Sequence, residues 1–384
     1  MAELFDFAVI GGGIAGASVA CRLAPHGRVV LLEQEGQPGY HSTSRSAAVL
    51  SCAYGPASWQ ILTAASAGFY AAPPDGFADR PLTQPRGALY LATAAEEAAL
   101  RAQAAALAGR GVACELLDIE AAHRLVPVVH KADFTLGLLE PGCVDLDADA
   151  LLGAWLREGR RHGMRLLAGA GVRRIARRAG AWAIEAGDGA IEAPVLVNAA
   201  GAWADEVAAR AGLPRRGVLP FRRTAILFEP PAGHDAARWP MTFDAAETWY
   251  FKPEAGRIMM SPVDMIPTPP CDAQPEEIDV AVAVDRIETV TAMRVGRLAG
   301  RWAGLRTFAA DHEAVIGPDP EEPSFVWYAG QGGNGVMASA AGGGGGPPAA
   351  ALGEAMPRAL RELGLTDAMV TPGRLPPATA DGAA

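Results

Sequence analysis

The residues whose spacing most directly implies chemistry lie near the N-terminus, where Gly11, Gly13 and Gly16 keep the pattern G-x-G-x-x-G. The first glycine permits a tight turn. The second lets the backbone approach a pyrophosphate, and the third lets a following helix pack closely on its strand. Ile14 and Ala15 open that helix, whose free N–H groups and positive dipole end attract phosphate. Glu33 follows about 20 residues on, where a carboxylate accepts hydrogen bonds from ribose hydroxyls. Together these residues specify dinucleotide binding and leave NAD and FAD both open.

Such a loop works only between a strand and a helix. Phe5 to Ile10 is a short apolar run that reads as a buried parallel strand. Ile14 to Leu23 reads as a helix, and Arg28 to Leu32 as the next strand, ending at Glu33. The three make a βαβ unit. A polar loop from Pro38 to Ser46 follows, then an Ala-rich amphipathic helix over Ala94 to Ala108. Ala148 to His162 reads as a helix, and Arg165 to Leu167 and Gly171 to Arg174 as strands. Trp182 to Glu185 and Ala190 to Glu192 form a hairpin pattern turning at Gly187 to Gly189, and Val195 to Asn198 is another apolar strand. Leu219 to Pro262 alternates apolar and polar residues, as antiparallel sheet does. Gly342 to Gly346 is expected not to hold a helix, since each glycine costs about 1 kcal/mol relative to alanine. The mixture predicts an α/β (α+β) chain in which a β-rich region interrupts a parallel-sheet nucleotide domain.

Composition narrows the partners. The chain has 384 residues, half of them apolar, and a net charge of −10. No Lys/Arg cluster offers a phosphate-binding face, which argues against nucleic acid and against a polybasic membrane anchor. The five cysteines form no CxxC pair, so a reducing compartment fits and neither a disulfide framework nor a metal site is expected. The sequence shows no signal peptide and no transmembrane stretch, and a cytoplasmic protein is expected.

Distant strings select the dinucleotide. Ile10 to Gly16, Ser42 to Ala48, Val197 to Trp203, Gly304-Leu305-Arg306 and Gln331 to Gly335 resemble the FAD-dependent D-amino acid oxidase superfamily over nearly the whole chain. That superfamily includes glycine oxidase, sarcosine oxidase and D-amino acid dehydrogenases. Gln37 to Thr43, Ala53-Tyr54-Gly55, Trp239-Pro240-Met241, Tyr250 to Pro253 and Trp302 to Arg306 are most similar to bacterial D-arginine dehydrogenases.

The resemblance implies a Rossmann-like FAD-binding domain of the glutathione reductase type from residues 1–86, 147–216 and 304–384. A mixed antiparallel substrate domain would come from residues 87–146 and 217–303. FAD would be held by the Gly11 loop, Glu33, Gln34, Ser42, Arg45, Ser46, Ala47, Ala48, Val172 through its backbone, Ala200, Gly201 and Trp203. Gly332, Gly333, Asn334 and Gly335 would open a helix toward the flavin, where a helix N-terminus stabilises negative charge. Arg306 would grip a substrate carboxylate as a bidentate fork. Tyr54 and Tyr250 would donate hydroxyls to it, and Arg223 would support it, with a one-residue slip to Arg222 left open. Hydride transfer from the substrate Cα to flavin N5 needs a neutral amine and correct positioning rather than a dedicated base. His41 reads as a polar loop residue.

Departures from the pattern shape the expected specificity. Ala88 stands where the D-arginine enzymes carry an acidic residue, and Val49 where they carry a histidine. Val49, Ala88, Met241, Phe243 and Gly304 would make a largely apolar pocket, in which an unpaired guanidinium would be costly. Arginine is therefore expected to be poor, and apolar D-amino acids such as methionine, leucine, phenylalanine or proline good. Restoring a carboxylate by Ala88→Glu is expected to favour D-arginine. Arg257 to Met260 lacks the lysine with which sarcosine-type oxidases activate oxygen, the region just before Asp311 lacks the cysteine through which they attach flavin, and Lys252 reads as a solvated strand residue. Non-covalent FAD, a small amino acid substrate, a quinone or other acceptor, and a monomer or homodimer are the resulting expectations. The alternatives are a glycine- or sarcosine-type amine oxidase, a 2-hydroxy acid dehydrogenase, and a flavin-binding subunit without turnover.

Overall fold

The computed structural model describes residues 2–345 and 364–378. Its centre is a six-stranded sheet ordered Arg165–Leu167, Val29–Leu32, Phe7–Ile10, Val195–Asn198, Phe325–Ala329 and Val315–Pro318. All pairs are parallel except the last. Phe7–Ile10, Val29–Leu32 and Phe325–Ala329 are buried along their whole length. A parallel sheet covered on both faces requires this of its strands. The strands come from both ends of the chain, so the sheet forms only when distant segments meet.

Helices Ile14–Leu23 and Ala148–Arg161 pack on this sheet within one core that includes Trp155 and Val197. A smaller sheet holds the hairpin Ala181–Ala186/Gly189–Ala193, with Gly187 turning at φ +52°. Its neighbour, Val172–Arg178, is longer than its sequence pattern suggests.

The second large sheet is built on Leu219–Phe228 and its antiparallel neighbours Leu298–Phe308 and Arg257–Ser261. It continues through Tyr250–Glu254, Met241–Asp244, Ala88–Ala92 and Leu136–Glu140. The expected antiparallel character holds, with one exception: Met241–Asp244 runs parallel to Ala88–Ala92.

One element lacks a clear sequence signal, and one expectation changes. Helix Ala57–Ala71 gives little apolar periodicity because Ser58, Thr63 and Ser66 share its buried face with Trp59, Leu62 and Tyr70. The glycine run does not end helical structure at Gly342: the helix Gly335–Gly345 continues through it. The run lies at the far end of that helix, not at its flavin-facing start. Side chains of the neighbouring helix support its backbone. Tyr70 OH accepts from the Ala340 N–H at 3.1 Å and Ser66 Oγ from the Ala341 N–H at 2.9 Å. Tertiary support of this kind outweighs propensity. Gly346 lies outside the described residues.

Candidate active site

A cavity of about 260 Å³ opens at the carboxyl ends of the parallel strands, lined by Ile10, Leu32, Ala199 and Ala329 and the loops that follow them. This is where an open α/β sheet binds ligands. A Cβ on Gly16 would stand 1.8 Å from Gly11 O, and one on Gly11 2.3 Å from Ala199 O, so strand, turn and helix meet at a separation only glycine allows. Gly11 also sits at φ +108°. The Gly12 N–H donates to Glu33 Oε2 and the Glu35 N–H to Glu33 Oε1, each at 2.8 Å. Burial pushes the Glu33 carboxyl up and these amides oppose it. The Ile14 N–H donates to Thr43 Oγ1 at 3.0 Å, which ties the polar loop to the helix start.

Most of the expected cofactor residues face this cavity. Gly11, Gly13, Ile14, Ala15, Glu33, Gln34, Ser42 and Ser46 line it from the N-terminal segment, and Val172, Ala200, Gly201 and Trp203 from the middle of the chain. Gly332, Gly333 and Gly335 close the far end. Gln331 lines that end, and among the described residues its buried Nε2 has no hydrogen-bond partner, as a group awaiting a polar ligand would. The cavity, the glycine cradle and the Gln331 amide fit FAD.

Five of the expected residues lie elsewhere. Gly16 is under the turn. Ala47 and Ala48 line a second, smaller cavity. Asn334 abuts the Tyr54 loop, its Oδ1 3.0 Å from where a Gly55 Cβ would stand. Arg45 is drawn away from the cofactor by Asp272 and by the carbonyls of Ala273 and Ala303. His41 is at the Glu33 end of the cavity, paired with Glu35 Oε1 at 2.9 Å and packed on Trp203.

The second cavity, about 40 Å³, shares Ser46, Arg306, Gly333 and Val336 with the first, so the two lie side by side. Tyr54, Tyr250, Arg223, Arg306, Val49, Met241 and Phe243 all line it. The alternation of strand Leu219–Phe228 resolves the two adjacent arginines. Arg223 faces the cavity, whereas Arg222 faces the helix Glu277–Val290 and is bound by Asp279 and Glu276. Arg306 is buried, its Nη2 donating to Arg45 O at 2.7 Å. Among the described residues neither Arg223 nor Arg306 has a carboxylate within ion-pair distance. Burial pushes the Arg306 pKa down, and the Arg223 cation adds to this, so an anion placed between them would be welcome. Burial pushes the Tyr54 hydroxyl up, which keeps it a proton donor. Phe243 lies 5.8 Å from Tyr54 and 5.7 Å from Tyr250 between ring centroids and forms the apolar wall.

Two expected pocket residues are not at the cavity surface. Ala88 is fully buried in the strand next to Met241. Gly304 lies beneath Arg306 and Arg45, where a Cβ would come within 2.8 Å of Arg306 Nη1. Lys252 is not solvated: it is buried and held by Asp145 Oδ1 at 2.9 Å and Glu254 Oε2 at 2.7 Å, and it faces neither cavity.

The family described as FAD dependent oxidoreductase, DAO, matches residues 6–344. The chain belongs to that family. Its FAD dependence and its oxidoreductase class, acting on amino acids or amines, follow. Glycine oxidase of Bacillus licheniformis is 25% identical over 354 residues, covering 88% of this chain and 90% of that one. L-proline dehydrogenase from P. horikoshii superposes with a TM-score of 0.79 at 21% identity, over 89% of this chain and 92% of that one. L-alpha-glycerophosphate oxidase from Mycoplasma pneumoniae, solved with FAD bound, superposes with a TM-score of 0.80 at 17% identity, over 94% and 95%. These two structures speak to the fold, which this DAO-family chain shares across nearly its full length.

Sequence reading missed Thr43, Asp272 and Glu140, whose roles rest on contacts between residues far apart in the chain.

Proposed function

We propose that this DAO-family chain is a dehydrogenase for D-amino acids with compact, uncharged side chains, giving an imino acid that water hydrolyses to a 2-oxo acid and ammonia. The observation that carries the reading is the convergence of Arg223, Arg306, Tyr54 and Tyr250 on one small cavity that shares a wall with the FAD cavity. Two buried guanidiniums with no carboxylate at ion-pair distance among the described residues suit a substrate carboxylate, and the two phenols can donate to it. A volume of about 40 Å³ holds roughly three waters at about 10–15 Å³ each, which favours alanine or proline over leucine, methionine or phenylalanine. Configuration at Cα is read from the strings shared with D-arginine dehydrogenases.

The pyrophosphate of FAD would lie on the Gly11 loop, its ribose at Glu33, its adenine at Val172 and its flavin beside Gly332 to Gly335. Non-covalently bound there, FAD supplies a two-electron acceptor for the substrate Cα–H bond. The protein's part is positioning. Arg306 and Arg223 fix the carboxylate, while Met241, Phe243 and Val49 exclude water. Among the described residues no histidine, aspartate, glutamate or lysine lines the small cavity, so the substrate amine has to arrive neutral. Lys252 is occupied by two carboxylates, which supports a quinone or similar acceptor over oxygen. The domain division given above belongs to the same reading; the two large sheets follow it except at residue 304, where Gly304–Phe308 still pairs with Leu219–Arg223 in the second sheet.

The test is anaerobic mixing with every D- and L-amino acid, following loss of the visible flavin band. Bleaching by D-alanine or D-proline is expected; an enzyme reduced by no amino acid would end the proposal. One alternative has its own support. The glycine oxidase relative and the small cavity favour a glycine- or sarcosine-type oxidase, and an oxygen electrode distinguishes it.

A further inference from the structure

Glu140 is a buried carboxylate that the chemistry above does not use. It ends the strand Leu136–Glu140 and is 2% exposed. Among the described residues no cation pairs with it. A buried charge without a counter-ion is costly, and it persists only where hydrogen bonds compensate. All its donors come from one short segment. Ser51 Oγ donates to Glu140 Oε2 at 2.6 Å and the Cys52 N–H to Oε1 at 2.8 Å. Tyr90 OH lies 2.9 Å from Ser51 Oγ. With the Ser51 proton committed to the carboxylate, the Tyr90 proton points to Ser51. A hydroxyl chain that runs toward Glu140 suits a carboxylate acceptor, while burial opposes its charge and pushes its carboxyl up.

That segment leads directly into Tyr54. Beyond it the same loop is held by Gln60 Nε2, which donates to Ala53 O at 3.2 Å and Gly55 O at 2.7 Å. The other end of the relay reaches the opposite cavity wall, because the Tyr90 ring stacks on Phe243 with centroids 4.7 Å apart and planes at 6°. Glu140 thus fixes the loop that carries Tyr54 and, through Tyr90, the ring that Tyr54 packs against.

We propose that Glu140, with Ser51 and Tyr90, is a positioning residue that presets the Tyr54 hydroxyl for a carboxylate ligand. This rests on the reading of Tyr54 as a substrate-carboxylate donor. Glutamine at this position keeps the shape but offers an N–H₂ to groups that are themselves donors, so the loop is released without opening a cavity.

The probe is propionate, an unreactive carboxylate, titrated into FAD-loaded enzyme and read by the flavin spectrum. Tyr54→Phe and Glu140→Gln are each expected to raise its Kd about tenfold or more, the scale of one hydrogen bond to a charged group. The double variant is expected to add little to Tyr54→Phe alone, as coupled residues do. The limiting rate of flavin reduction by substrate in Glu140→Gln should stay within about threefold, a split that general loss of structure would not produce. Ser51→Ala carries the same test should Glu140→Gln fail to fold. An unchanged Kd in the Glu140 or Ser51 variant beside a raised one in Tyr54→Phe overturns this inference and leaves the site reading standing. Fully additive effects overturn it too. An unchanged Kd in Tyr54→Phe overturns both.

Discussion

Arg45 and Asp272 face each other across the seam between the nucleotide-binding sheet and the second large sheet, with Arg45 Nη2 2.5 Å from Asp272 Oδ1. Arg45 Nη1 also donates to Ala273 O at 2.9 Å and Ala303 O at 3.0 Å, and Tyr40 OH donates to Asp272 Oδ2 at 3.2 Å. Ala273 packs with Ala202 and Leu305, both of which line the FAD cavity. The pair is therefore a clasp beside the cofactor. Asp272→Ala is expected to speed FAD release several-fold, measured by the recovery of free FAD fluorescence after dilution. Unfolding of the flavin-free protein should move little, because Asp272 is half exposed and water screens the pair. FAD release at the wild-type rate would dismiss the clasp. Arg45 holds the Asp272 carboxyl below its ordinary value. A depressed folded pKa gives a contribution that is present above about pH 4 and lost only as pH falls through the depressed value. Asp272-dependent retention should thus be the same at neutral and mildly acidic pH.

Glu247 gives a second pH effect of opposite sign. It lies in the turn after Met241–Asp244 at φ +55°, and burial pushes its carboxyl up to about 7. The Gly55 amide and Arg223 oppose that shift without cancelling it. A raised folded pKa means that the folded protein prefers the neutral acid. Its contribution is full below the ordinary carboxylate value and is lost as pH rises through about 7. Ionised Glu247 also competes with substrate for Arg223. Propionate affinity is expected to fall as pH rises through that range, and Glu247→Gln to flatten the profile. A wild-type profile without an inflection there would refute the assignment.

The sequence made local patterns legible and hid contacts between distant segments. Short apolar runs such as Phe7–Ile10 and Val195–Asn198 announce themselves because both faces of a parallel strand are buried. The glycine loop is legible because each glycine answers a steric demand visible in one stretch of chain. Arg222 and Arg223 differ only in which face of one strand they occupy, and period-two alternation cannot tell which face meets the cavity until the sheet is assembled. Arg45 looks like a phosphate ligand until Asp272, far along the chain, takes it. Glu140 is silent in sequence because a lone glutamate at a strand end has no pattern. Helix Ala57–Ala71 was hidden because polar residues on its inner face bond across to the next helix.

The glycine loop itself yields a steric prediction. Gly16→Ala places a methyl 1.8 Å from Gly11 O, a backbone atom that cannot turn aside. Strand and helix would separate, and with them the amides that face the pyrophosphate. The variant is expected to purify with little flavin, read as the ratio of visible to protein absorbance, and to melt below wild type. Full flavin content would show that the loop does not hold the pyrophosphate.

The last prediction reverses one made from sequence. Ala88→Glu looks like a way to restore a carboxylate for a cationic side chain. In the folded sheet Ala88 is in register with Met241 on one side and Glu140 on the other. Register partners share a face, with Cβ atoms about 4.5–5.5 Å apart. A new carboxylate would therefore enter a buried layer beside Glu140, whose own carboxyl burial already pushes up. Like charges so close cannot both ionise without cost, and the relay to Ser51 and Tyr90 would be disturbed. Ala88→Glu is expected to lower the melting temperature and weaken propionate binding, with no gain in kcat/KM for D-arginine. A stable variant that gains D-arginine turnover would show that a side chain at residue 88 reaches the cavity after all, and that Met241 does not close it off.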